Sequence, residues 1–238
     1  MFCEHKAIRW KKVSAKKARQ TFVIEERSQG LIDPEENFPE EPSHYFVATG
    51  DVVIDGPIGF GAEDDDDATV YVIDGDLTVR GPLSATQGDF YGVLLVTGSV
   101  TCEDFESMWD GQVVIGGGLT VSRLMVTNLG DAGVLVVRGR VSAGTWLEIS
   151  GRGSIDLSGP AKGRMLRGPG EDFPEWSTGR DEDGNPLDPD EDDAPHYMFD
   201  ASTASDASTA LRPEFIEDGE IDADALRDAI REGRPVLR

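Results

Sequence analysis

With 238 residues, 46 acidic against 22 basic side chains and a formal charge of −24, the chain has room for one good core but not for two large domains. That acid excess repels nucleic acid and anionic membranes and attracts basic partners, so neither direct nucleic-acid binding nor membrane binding is expected. Cys3 and Cys102 are the sole cysteines, too few for a disulfide framework.

The opening residues, MFCEHKAIRWKK, lack the apolar stretch of a secretion signal, and no apolar run reaches membrane-spanning length. A cytoplasmic protein with reduced thiols is the expectation. Residues 1–20 hold seven bases (Lys6, Arg9, Lys11, Lys12, Lys16, Lys17, Arg19) and one acid, Glu4. Two readings of this basic segment stand side by side. As an amphipathic helix it would lie on an anionic surface; as a cap it would fold back on the chain's own acidic body and close the first coil of the repeat that follows. The expected division is a basic N-terminal segment and cap over 1–43, a repeat domain over 44–160 and an acidic tail over 161–238.

The repeat carries the fold. YFVATGDVVI, VYVIDGDLTV, VLLVTGSVTC, VVIGGGLTV and VLVVRGRVSA align on Gly50, Gly75, Gly98, Gly117 and Gly139. Two residues before the glycine stand Ala48, Ile73, Val96, Ile115 and Val137. Two after it come Val52, Leu77, Val100, Leu119 and Val141, and four after it Ile54, Val79, Cys102, Val121 and Ala143. A strand, a glycine corner and a second strand fit this register. Stacked coils of that kind bury a continuous Val/Ile/Leu ladder. The expectation is an all-β fold, a short right-handed parallel β-helix (solenoid) of about five to six coils. A β-meander with glycine turns is the competing reading, but it does not require the same glycine register in every unit. WLEISGRGSIDLSG reads as a degenerate sixth coil, with Trp146, Leu147, Ile149, Ile155 and Leu157 inward or capping.

Between the coils, GAEDDDDA, ATQGDFYG, EDFESMWDG and TNLGDAG read as turns projecting from one side. They hold the candidate partner-binding residues Asp64, Asp65, Asp66, Asp67, Asp89, Phe90, Tyr91, Glu103, Asp104, Glu106, Trp109 and Asp110. Acids around aromatics suit a basic protein partner, because aromatics supply anchoring area and charge supplies steering. The competing reading makes the acids a solvated face and the aromatics core filling. In the tail, DEDGNPLDPDEDDAP and ASTASDASTA are low-complexity. A short helix is expected near 222–232, with Asp222 as N-cap and Gly233 and Pro235 as stop, placed to cover the last coil.

Catalytic and cofactor motifs are lacking. His5, His44 and His196 are far apart, and no HExxH, CxxC, GxSxG, phosphate loop or dinucleotide fingerprint occurs. The tract Asp181-Glu182-Asp183-Gly184-Asn185 lacks the glycine position and closing glutamate of a calcium loop. No cofactor and no enzymatic activity are expected.

VYVIDGDLTVRGPL, GVLLVTGSVTCEDF and GVLVVRGRVSAGTW resemble two families across residues 45–157. One is the bactofilin-type bacterial cytoskeletal β-helix, which implies a polymer-forming scaffold with self-association. The other is a group of acidic β-helix proteins resembling immunity proteins of polymorphic toxin systems. That resemblance implies a cytoplasmic antitoxin covering the active site of a cognate basic toxin domain. Uneven coils, acidic insertions and long flanks depart from the bactofilin pattern.

Overall fold

The computed structural model describes residues 5–34, 42–61, 69–87, 92–149, 151–168, 175–177 and 205–238. It is a parallel β-solenoid of about five turns with few helices. β1 (Lys11–Ser14), α1 (Ala15–Phe22) and α2 (Ile24–Arg27) precede the coils. The first coil runs through β2 (His44–Thr49), β3 (Val52–Asp55) and β4 (Ile58–Phe60), and the second through β5 (Thr69–Asp74), β6 (Leu77–Arg80) and β7 (Pro82–Gln87). β8 (Gly92–Val96), β9 (Val100–Cys102) and β10 (Asp104–Trp109) make the third coil. Later coils merge their second and third strands: β11 (Gln112–Ile115) leads to β12 (Leu119–Leu129), β13 (Val134–Val137) to β14 (Val141–Glu148), and β15 (Ser154–Leu157) to β16 (Ala161–Arg167). The C-terminal part comprises β17 (Glu175–Ser177), β18 (Ser205–Asp206), α3 (Ala207–Ala210), β19 (Ile216–Glu217), β20 (Glu220–Ile221) and α4 (Ala223–Arg231).

One sheet takes the first strand of each coil, in the order β1-β2-β5-β8-β11-β13-β15-β17; a ten-stranded sheet takes the others except β19 and β20, which form a separate antiparallel pair. Coil-to-coil pairing is parallel throughout, as in β5 with β8 and β10 with β12, and β1 joins the first sheet antiparallel, on the edge of β2. All fifteen apolar positions aligned on the five glycines line the inner core, from Ala48 to Ala143.

Close backbone approach explains the glycines. A Cβ at Gly75 would lie 2.6 Å from the Gly50 carbonyl carbon, one at Gly98 2.7 Å from the Gly75 oxygen, and one at Gly139 2.7 Å from the Gly117 carbonyl carbon. The column extends to Gly159, whose Cβ would lie 2.5 Å from the Gly139 oxygen. Hydrogen bonds from Gly98 N to Gly75 O (3.0 Å) and Gly139 N to Gly117 O (2.8 Å) carry the ladder through the corner. The residue after the glycine adds a side-chain link: Asp51 Oδ1 accepts from Asp76 N at 3.0 Å, and Asp76 Oδ1 from Ser99 N at 2.7 Å.

Two expectations need correcting. EDFESMWDG is not a projecting turn, because Asp104–Trp109 is the third strand of its coil, with Phe105 inward and its neighbours outward in the strand alternation. In WLEISGRGSIDLSG, Trp146, Ile155 and Leu157 do face the inner core, but Leu147 and Ile149 belong to an outer cluster under the C-terminal segment.

The outer surfaces of the first and third strand faces are covered. Ala15, Ala18, Phe22, Ile24 and Ile32 pack on the outward side chains of the first sheet, among them Val72, Leu95, Val114 and Val136. Strands buried on both sides read as unbroken apolar runs such as VLLV and VLVV. Ile8 joins the inner core, and Trp10 and Phe46 pack against its first-coil end, with Trp10 5.3 Å and Phe46 5.4 Å from the Tyr71 ring. This is the N-terminal cap. At the other terminus, Phe215, Leu226, Ala229, Ile230 and Val236 cover Met108, Leu124, Val126, Leu147 and Leu166. The terminal helix has Asp222 as N-cap, its carboxylate accepting from Ala225 N at 2.9 Å. It lies on the side of the solenoid, not over the last coil.

Gly139→Ala should lower stability by about 2 kcal/mol or more, since overpacked backbone has no flexible neighbour to yield. Gly59→Ala, with open space around it, should stay within about 0.5 kcal/mol. Urea titration of both variants separates the two cases, and equal losses would remove the stacked-glycine explanation.

Candidate binding surface and its buried acid

The third strand of each coil builds a seam with the C-terminal segment, and the described candidate residues lie along it. Asp64, Asp65, Asp66, Asp67, Asp89, Phe90 and Tyr91 fall outside the described residues. Glu103 has its side chain half exposed, 3.8 Å from Arg123. Asp104 is buried and pairs with Arg123, while its Oδ1 accepts from Leu124 N at 3.2 Å. This pairing holds the Arg123 guanidinium above its ordinary range. Trp109 is half-buried, with the Arg227 guanidinium 5.1 Å from its ring centroid. Asp110 is also half-buried, and its carboxylate accepts from Ala132 N at 3.3 Å. Over 103–110, therefore, strand pairing turns most of the candidate acids and aromatics inward or under the C-terminal segment, leaving Glu103 as the exposed acid.

Glu106 is the most unusual of these groups. Its strand alternation points it outward, yet α4 covers it and leaves it 0% exposed. Ser84 Oγ donates to Oε1 at 2.6 Å, Arg231 Nε stands 3.6 Å away, and Oε2 has no hydrogen-bond partner. Arg231 also donates to Ser84 Oγ at 3.0 Å and Thr86 Oγ1 at 2.5 Å, which ties α4 to β7. Burial is the largest influence on Glu106 and pushes its carboxyl up to about 7, against the opposing pull of Ser84, Arg231 and Arg227. Alternation alone placed Glu106 outside; the signal for its burial was an arginine on an amphipathic helix far along the chain, which no local pattern connects to it.

Beside this seam a cleft of about 220 Å³ opens between Asp104, Arg123 and Leu124 on one wall and Ile230, Arg234, Pro235, Val236 and Leu237 on the other. Its lining is mainly apolar, and its acid is already paired. Cys102 faces the inner core, where burial, then Asp104 and Glu103, push its thiol far above the ordinary range. It is a packing group, not a nucleophile. No group of three or more His, Cys, Asp or Glu side chains placed to hold a metal ion occurs among the described residues. No helix among them is long and apolar enough to cross a membrane. Chemically, the arrangement suits adhesion: a protonatable acid and arginine clamps fasten one segment of chain to a sheet face.

No family model, curated protein or solved structure matches this chain.

The Glu106 environment gives a pH dependence of defined sign. A carboxyl raised from 4.5 to about 7 on folding leaves stability intact below pH 4.5. Stability then falls as the unfolded chain ionises, and the loss levels off above pH 7. Glu106→Gln should remove this component and raise stability at pH 8 by about 2 kcal/mol, with slower amide exchange in α4. Identical pH–stability curves for the two proteins would refute the assignment.

Proposed function

We propose that the chain is a non-enzymatic binding protein, an immunity-type antitoxin that neutralises a cognate basic bacterial toxin domain in the cytoplasm by occluding its active site. The observation that carries this reading is where the charge is balanced. Arg123, Arg138, Arg167 and Arg231 are committed to the scaffold acids Asp104, Asp156, Glu148 and Glu106. With 46 acids against 22 bases, the chain as a whole keeps a large excess of acid with which to attract a basic cleft. Steric and electrostatic cover of such a cleft needs no chemistry from the inhibitor.

The alternative, a bactofilin-like polymer, depends on coils stacking end to end. Against it stand β1, which pairs with the edge of β2, and Ile8 and Trp10, which plug the first-coil end of the core.

Affinity capture from the native bacterial lysate, followed by co-expression of the captured protein, tests the proposal. The expected result is one basic protein that is toxic alone and harmless beside this chain. Its affinity should fall about ten-fold or more between 50 and 500 mM salt. Reversing Asp64, Asp65, Asp66 and Asp67 together, with Trp109→Ala, should weaken binding. Recovery of the chain only as large assemblies of itself would replace the antitoxin with the scaffold.

A further inference from the structure

The solenoid has three outer faces, and the chain's own segments cover two of them. The remaining face is built by the second strand of each coil, and its central row is in register from end to end: Val53, Thr78, Thr101, Thr120, Ser142 and Lys162. Val53 is 49% exposed, the one large hydrophobic side chain so exposed among the described residues. Thr101, Thr120 and Lys162 are exposed and Thr78 and Ser142 half-buried. Short, β-branched or hydroxyl side chains at the roughly 4.8 Å spacing of stacked strands make a flat strip.

Charge on this face is ordered along the solenoid axis. The first three coils carry exposed Asp51, Asp55, Asp76 and Glu103, with Arg80 2.8 Å from Asp55. The last two carry exposed Arg140 and Lys162 with no acid beside them, and neither has an ion pair among the described residues. An acidic end, a neutral hydroxyl centre and a basic end complement themselves when one copy is reversed against another.

We propose that this face is the interface of an antiparallel homodimer, with a two-fold axis running along the strand direction between the Thr101 and Thr120 rows. That axis sets the second coil against the fifth and the first against the sixth. Asp76 then faces Arg140 of the second copy, and Val53 lies under the stem of its Lys162. Thr101 meets Thr120, and the neighbouring Glu103 has Arg123 of its own chain 3.8 Å away, so the centre presents no unaccompanied charge. At physiological salt, screening over about 8 Å damps the general repulsion of like-charged copies more than attraction between facing pairs in contact. The inference is independent of the antitoxin reading, since it concerns the chain alone.

Sedimentation of the full chain across concentration, with two charge-altered variants, tests it. Val53→Lys with Asp55→Lys makes the first-coil end basic; Lys162→Glu makes the last-coil end acidic. All three positions are on the surface, and circular dichroism checks that both variants keep the fold. The unaltered chain should dimerise, and more weakly in 1 M salt. Each variant alone should self-associate about ten-fold or more weakly. An equimolar mixture should recover a dimer, because each altered end then meets its complement. A chain monomeric up to about 1 mM, dimers indifferent to both variants, or a mixture that stays monomeric would each overturn the proposal.

Discussion

Every other feature of this protein depends on how closely one coil can approach the next at the corner after the first strand. Parallel strands stack about 4.8 Å apart, and at the corner the chain turns while keeping that spacing. Gly75, Gly98, Gly117, Gly139 and Gly159 each sit where a Cβ would press into the backbone of the glycine before. The hydrogen-bond ladder therefore runs unbroken from one face to the next. Coils of unequal length still share one register, because excess residues leave the coil elsewhere and the corner does not move. The inner core follows from that register, since every residue two or four places from the glycine is delivered to the same stacked row.

A solenoid so built has an inside that stacks itself and an outside that must be managed. Where the outer rows are apolar, as in Val72, Leu95 and Val114 or in Val126, Leu147 and Leu166, water cannot be left against them without cost. The two chain ends supply the cover, and each is fastened by arginine. Arg138 donates to the Arg27 carbonyl at 2.7 Å, which holds the N-terminal helices down, and Arg231 reaches Ser84, Thr86 and Glu106 to hold α4. Only where the outer row is Thr and Ser does the face stand without a cover.

The solenoid was legible because its signal repeats. A single strand–glycine–strand unit is weak evidence, but the same apolar slots recurring around Gly50, Gly75, Gly98, Gly117 and Gly139 admit few alternatives. Asp222, Leu226, Ile230 and Gly233 likewise marked the terminal helix almost to the residue, because capping is local. Where that helix docks was not legible, since docking is set by a face of Leu124, Val126 and Leu147 that lies some eighty residues or more away. The third strand was missed for a related reason. In EDFESMWDG, acids occupy outward positions that would be solvated in most strands, so the alternation around Phe105 reads as a polar turn. Continuous apolar runs such as VLVV did carry the information that both sides of the first sheet are covered, and alternation templates pass over it.

The buried charges serve register more than stability. Asp104 pairs with Arg123, Asp156 with Arg138 and Glu148 with Arg167, each across neighbouring coils and 18 or 19 residues apart. Replacing such pairs with well-packed apolar side chains is often neutral or stabilising, but breaking one leaves an uncompensated charge in the interior. A coil slipped by one residue would strand three acids and turn every apolar row to the wrong face. Valine ladders alone tolerate such slips poorly but do not forbid them, because valine follows valine in VVI, VLLV and VLVV. The cross-coil pairs forbid them.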